Sequence, residues 1–322
     1  MEIRDIQKGF ITNRLPLFFT LVAFVAARAV LADYTLWELW VATAIQISTA
    51  FVLLSLSQVF VVIRQRTLLP AFFYLLFVGV FPQHFDDWEG SLIAFDVLLC
   101  FYMLFATYQQ RNSQGNALNI SVLLTLGSFL WMPMLYFFPL FWYGLYRFKS
   151  LNVRTFLASW MGFAIIYLFI FAWSIYQNDE AIFLDLLPVF DLQWHFDWEA
   201  VTQRERIIVG YLAFLFVLAG SEIFMSGISE KVRAITTLSF LYVATIAVFV
   251  FFELQTYDNS WQLIVYIPSA LLIAHYFTLS VGKWTSWLFV LTVSFFVAIL
   301  VNHYIPLVPL AEEYIDIYFN NP

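Results

Sequence analysis

The chain has 322 residues, of which 62% are apolar, 21% aromatic and 11% charged, with a net charge of −7 and a mean hydropathy of +0.82. Soluble domains carry roughly 25% charged residues, so this composition excludes a cytosolic globular protein, a disordered chain and a nucleic-acid binder working through a basic face. It fits an all-α, polytopic transmembrane helical bundle whose first partner is the lipid bilayer.

The start, Met1 to Arg14, carries basic residues but no short apolar core followed by a small-residue cleavage site. The first apolar run is therefore expected to remain as an uncleaved anchor. A membrane-spanning helix takes about 20 mostly apolar residues, and runs of that order occupy 15–32, 41–62, 67–82 and 91–109. Cys100, the single cysteine, lies inside the last of these, which leaves no disulfide framework and no cysteine metal site.

The next run, Ala117 to Tyr146, has no charged residue. As one helix of 30 residues it would be about 45 Å long, too long for a hydrocarbon core of roughly 30 Å. Pro133 and Pro139 near its middle predict two short helices instead, at 117–132 and 134–146, forming a hairpin. Further runs at 152–176, 207–226, 234–253, 261–279 and 284–303 bring the expected total to about eleven membrane segments. They form one transmembrane domain, 1–303, followed by a short outward-facing tail, 304–322. The one long loop, 177–206, is rich in apolar residues around Pro188 and is expected to lie in the interface.

Lys and Arg favour cytoplasmic loops. A cytoplasmic N-terminus with a hairpin at 117–146 puts twelve of the fifteen basic residues inside, leaving Arg28 within a span and Arg204 and Arg206 outside. A single crossing there would throw Arg147, Lys149 and Arg154 to the other face. Most carboxylates, among them Asp33, Asp86, Asp87, Asp197 and Glu205, fall on the outer side.

Two outer loops echo one another: His84-Phe85-Asp86-Asp87-Trp88-Glu89 and His195-Phe196-Asp197-Trp198-Glu199. They read either as imidazole and carboxylate gathered for a divalent metal or acid–base chemistry, or as helix caps beside an aromatic belt. In the second reading Asp86 caps and Glu89 stands three residues on. Asp33, Asp86 and Asp87 are the candidate catalytic carboxylates; Arg28, Asp96, His195, Asp197 and Arg204 are the candidate ligand-binding residues. Arg28 and Asp96 sit at matching depth within spans, where an unpaired charge is costly, so they are read either as an ion pair or as ligand contacts. His275 reads as a hydrogen-bonded packing residue or a proton relay, and Gln46 and Gln58 as interhelical hydrogen-bonders. No cofactor is expected beyond a divalent metal at the outer loops.

Arg66-Thr67-Leu68-Leu69-Pro70-Ala71-Phe72-Phe73 and Leu126-Gly127-Ser128-Phe129-Leu130-Trp131-Met132-Pro133 resemble an uncharacterised family of polytopic inner-membrane proteins from Bacteroidota. That resemblance implies a bacterial inner-membrane location. A more distant likeness is to the membrane core of GT-C-like glycosyltransferases that use polyprenyl-phosphate sugars. It rests on Pro82, Asp86 and Asp87, the 91–109 span, Arg111, and Gly127 with Pro133. Those enzymes carry a long first outer loop with a catalytic acid, whereas here only Asp33 to Trp40 joins the first two spans.

Three functions follow as expectations. The first is a noncatalytic subunit or scaffold of a cell-envelope complex with other membrane proteins as partners. The second is an outward-facing transferase on a lipid-linked substrate, with Asp86 or Asp33 as general base and Arg28 or Arg204 on phosphate. The third is a small-solute or lipid transporter using Arg28, Asp96 and His275.

Overall fold

In the computed structural model the described residues are 3–31, 36–179, 183–184, 203–225, 232–253, 260–280 and 282–304. Every regular element among them is helical. Each apolar run read from the sequence is a helix. Among the described residues six helices are long and apolar enough to cross a membrane, or up to seven if one bent helix pair counts as a span. The set is α1 (Ile3–Thr12), α2 (Leu15–Leu31), α3 (Trp37–Val59), α4 (Leu69–Val80), α5 (Trp88–Ala106), α6 (Gln114–Gly127), α7 (Phe137–Arg147), α8 (Val153–Gln177), α9 (Gln203–Met225), α10 (Val232–Glu253), α11 (Ser260–Leu279) and α12 (Lys283–Tyr304).

The centre of the bundle is α4. It is apolar on every side, as a fully enclosed helix must be, and all of its residues except Leu76 are buried. Pro70 sits in its first turn, where the missing N–H costs nothing. Against it packs α11: the ring of Phe73 stacks on Phe277 at 5.7 Å, and that of Phe81 on Tyr266 at 5.8 Å. α2, α3 and α12 complete the ring around α4.

α1 was not foreseen as a separate element. Its chain bends by 78° into α2, at Asn13 and Arg14 just ahead of Pro16. Gln7, fully buried, fastens it: Nε2 donates to the Phe277 carbonyl at 2.7 Å, and Oε1 accepts from Ser286 Oγ at 2.6 Å.

The 117–146 hairpin has the expected form with shifted boundaries. α6 stops at Gly127, a turn of 3-10 helix covers Met132–Tyr136, and α7 returns from Phe137. At 14 and 11 residues the helices reach about 21 and 17 Å. Both feet are stitched together: Gln109 N donates to the Phe148 carbonyl at 2.9 Å, Ser113 Oγ to Ser150 O at 3.2 Å and Asn152 Nδ2 to Arg111 O at 3.1 Å. The chain therefore enters and leaves this hairpin at one end of the bundle. Asn152 then caps α8 by accepting from Thr155 N at 2.9 Å.

The loops at that end carry Arg64, Arg66, Arg111, Arg147 and Lys149, while the turn before α5 at the opposite end carries Asp86, Asp87 and Glu89. These are called the basic end and the acidic end. Arg233 of α10 lies at the basic end, donating to the Phe105 carbonyl at 3.2 Å with its guanidinium 5.4 Å from the Phe60 ring.

Candidate functional site

A buried polar cluster lies at the acidic end, and its hub is Gln46 of α3. Arg28, three residues before the end of α2, is fully buried. Its Nη1 donates to Thr43 Oγ1 at 2.8 Å and its Nη2 donates to Gln46 Oε1. The guanidinium also lies 4.1 Å from the Phe24 ring centroid and 4.7 Å from that of Phe85, distances at which a cation is drawn to a ring face. The Gln46 Nε2 hydrogens go to the His84 carbonyl at 2.9 Å and to Ser91 Oγ at 2.7 Å. One amide thus ties α2, α3, the Pro82–His84 turn and α5 together.

His84 carries the cluster on to α11. Its Nε2 lies 3.2 Å from Gln262 Oε1, which also accepts from Gln83 Nε2 at 3.2 Å. An oxygen in that position requires the ring proton on Nε2. Burial holds the imidazole neutral, lowering its pKa from 6.5 to about 3; the Gln262 hydrogen bond opposes that shift and the nearby Arg28 cation adds to it. The 4.0 Å approach of Nδ1 to Asp87 Oδ2 is therefore not an ion pair at neutral pH.

A lateral groove of about 550 Å³ opens beside this cluster, between α1, α2, α4 and α12. Its wall is apolar along almost its whole length and includes Phe19, Ala23, Phe24, Ala27, Leu75 and Val297. Arg28 and Phe85 line it where it meets the polar cluster, and Asp5 and Asn13 line it on the α1 side. On the opposite flank a smaller cavity of about 190 Å³ between α9, α10 and α11 is lined by Gln262 and Tyr266. The hydrogen-bonded path from Arg28 to Gln262 therefore runs from one cavity to the other.

Several sequence expectations change here. Arg28 and Asp96 do not pair: Arg28 faces α3 and the turn before α5, whereas Asp96 faces the hairpin apex, close to Gly127. Equal depth did not fix equal azimuth. Asp96 Oδ2 is buried and accepts no hydrogen bond. The cap of α5 is Asp87, not Asp86: Asp87 Oδ1 accepts from Gly90 N at 2.7 Å, and Asp86 is exposed. Neither lines the groove. Arg204 donates to the carbonyls of Val80 and Ile299, both at 3.3 Å, joining α9 to α4 and α12. Gln46 bridges helices as expected, but Gln58 is exposed. His275 is buried with no hydrogen bond at Nδ1. Asp33, His195 and Asp197 lie outside the described residues, and so does most of the 177–206 loop. Among the described residues no group of three His, Cys, Asp or Glu side chains is placed to hold a metal ion.

Sequence reasoning missed the groove itself. Its signal was present in α2, where Thr20, Ala23, Phe24, Ala27 and Arg28 share one helical face and small residues leave room. Comparison of the chain with protein-family models, with curated proteins and with solved structures finds no match to any of them.

Proposed function

We propose that the chain is a noncatalytic, multi-pass subunit or scaffold of a cell-envelope complex in the bacterial inner membrane. In this reading its N-terminus is cytoplasmic, it has about eleven membrane segments with the α6–α7 hairpin counted as two, and its acidic end faces outward. The family resemblance of the stretches at Arg66 and Leu126 accords with that location. The observation that carries the reading is the employment of the polar side chains at the acidic end. Asp87 caps α5, Arg204 binds the carbonyls of two neighbouring helices, and Arg28 is held by Thr43 and Gln46. Groups that a catalyst would aim at substrate here fasten helices to one another.

The test is native purification of the tagged chain in mild detergent, with mass spectrometry of what accompanies it. A stoichiometric membrane-protein partner is the expected result. A lone, monodisperse chain that turns over a lipid-linked sugar would overturn the reading.

The lateral groove favours a second reading, a GT-C-like transferase acting at the outer face. Its general base would be Asp33 or Asp86, working on an acceptor hydroxyl. Transfer from a lipid-linked sugar that disappears in Asp33→Asn or Asp86→Asn, with helix content unchanged, would decide for it.

A further inference from the structure

Asp96 differs from the other carboxylates in the face it occupies. The half-buried positions Leu92, Phe95, Asp96, Leu99, Tyr102 and Met103 recur at helical spacing and form the outer face of α5, and the residues between them are buried. Of these six, Asp96 is the charged one. It lies eight residues from the start of α5 and ten from its end, about 12 and 15 Å at 1.5 Å per residue.

The hairpin apex covers part of the carboxyl: a Cβ on Gly127 would sit 3.0 Å from Oδ2. That oxygen is buried and has no hydrogen-bond partner. The hairpin brings no basic side chain to it, since neither Lys nor Arg occurs from Ala117 to Tyr146. What the apex does carry is backbone released from the helix. Ser128, Phe129 and Leu130 turn their N–H groups back to carbonyls of α6, and among the described residues no backbone N–H reaches the carbonyls of those three residues.

The titratable side chains around the site are neutral ones. Cys100 is fully buried one turn along α5, within electrostatic reach of the carboxyl; Tyr136 belongs to the apex turn; Tyr167 of α8 hydrogen-bonds to Ser128. α3 and α11 also pack on α5. Their ionisable residues lie toward the helix ends, Glu38 and Tyr266 at the acidic end and His275 and Tyr276 toward the other. A bare carboxylate away from water is costly, and none of these groups is a permanent cation. An ion from the medium balances it.

We propose that Asp96 is a reversible site for a monovalent cation, a proton or a sodium ion, held between the outer face of α5 and the hairpin apex. A proton neutralises the carboxyl outright. A sodium ion would draw on the carboxylate together with carbonyls released at the apex, as unwound backbone serves such ions in other membrane proteins. The proposal requires that α5 sit in a bilayer; it is independent of whether the protein is a subunit or a transferase, since neither reading gives Asp96 a role.

The test uses the full chain in liposomes and dicyclohexylcarbodiimide, an apolar reagent for protonated carboxyls. The carboxyl adds across one N=C bond of the reagent: its oxygen bonds to the central carbon and its proton passes to nitrogen. The peptide therefore gains the mass of one whole reagent molecule. Peptide mapping reads Asp96 against the exposed Asp86 in the same sample. Asp96 should be labelled the faster at neutral pH, and should slow several-fold between about pH 6 and about pH 8 as the proton leaves. Exchanging choline chloride for sodium chloride at the higher pH distinguishes the occupants: slowing at Asp96 alone assigns sodium as well, and an unchanged rate assigns the proton only. Asp96→Asn should lose the label. Labelling of Asp96 no faster than that of Asp86, labelling indifferent to both pH and sodium, or a label that persists in Asp96→Asn would overturn the proposal.

Discussion

Arg28 and His84 are coupled through one side chain: Gln46 accepts from the Arg28 guanidinium with its oxygen and donates to the His84 carbonyl with its nitrogen, at 2.9 Å for the latter. Four elements meet at that amide, none of them adjacent to all the others in sequence. The first prediction concerns its loss. Gln46→Leu removes the hydrogen bonds that its amide makes with Arg28, the His84 carbonyl and Ser91 Oγ, and losing the donor to the buried His84 carbonyl alone costs about 1–3 kcal/mol. Gln58→Leu, at an exposed position of the same helix, should stay within about 0.5 kcal/mol of wild type. Denaturant or thermal unfolding in detergent measures both, and equal effects would refute the hub assignment.

The neutral His84 ring makes stability depend on pH. Its folded-state pKa is depressed from 6.5 to about 3, so in acid the unfolded chain takes up the proton that the folded chain refuses. Stability from this group is complete above about pH 6.5 and is lost progressively as the pH falls toward 3, at up to about 1.4 kcal/mol per pH unit. His84→Gln should flatten that part of the profile. Melting curves that run parallel for the two proteins from pH 7 to 4 would contradict the assignment.

Capping separates the two neighbouring carboxylates before α5. Asp87→Ala removes the acceptor for Gly90 N and should cost about 1 kcal/mol, with Asp87→Asn restoring most of it. Asp86→Ala should leave stability within about 0.5 kcal/mol of wild type. A reversed order would show that the cap belongs to Asp86, as the spacing to Glu89 had predicted.

Two glycines make a matched pair. A Cβ at Gly162 would lie 2.7 Å from the Leu118 carbonyl and 2.8 Å from Ser121 Oγ, whereas one at Gly210 meets nothing within 4 Å. Gly162→Ala should therefore force α8 away from α6 at a cost of about 1–3 kcal/mol. Gly210→Ala should be neutral or stabilise α9 by up to about 1 kcal/mol. Unfolding of the two variants side by side reads the contrast.

The hairpin fixes sidedness. In a Cys100→Ala background, cysteines placed at Gln110 and Arg147 should react with an impermeant thiol reagent from the same face of sealed vesicles. One placed at Glu89 should react from the opposite face. Labelling of Gln110→Cys and Arg147→Cys from different faces would mean that the α6–α7 segment crosses the membrane after all.

The elements of this fold were legible in the sequence because an apolar run of helical length leaves little choice of structure. Pro133, Pro139 and the uncharged stretch around them gave away the hairpin. Its break moved a few residues, to Ser128–Trp131, because the chain leaves α-helix at Gly127, ahead of either proline. α1 escaped notice: its buried face is Gln7 and Ile11, and a glutamine does not register as a core residue until Ser286 and Phe277 are seen around it. The candidate site was legible only as a list of polar residues. Depth along a helix can be counted from the sequence, so Arg28 and Asp96 were matched; rotation about the helix axis depends on packing, and it sends them to different neighbours. Gln46 was readable as a bridge, but not what it bridges, since its partners come from α2, the turn before α5 and α5 itself. The groove is an absence of side-chain volume between four helices, and no single stretch of sequence records it.

The enclosure of α4 also decides which parts of the protein can sense the membrane. At 12 residues it measures about 18 Å, far below the hydrocarbon thickness, yet all of its residues except Leu76 are buried. Bilayer thickness acts only on surfaces that touch it, at fractions of a kcal/mol per ångström of mismatch. That strain falls on α8 and α12, which are 25 and 22 residues long and largely uncovered by the rest of the chain. A thinner or thicker bilayer would tilt these outer helices first and reach α4 only through the side chains that connect them. Lipid chain length thus becomes a lever on the rim of the bundle, and α4 the fixed post against which that lever turns.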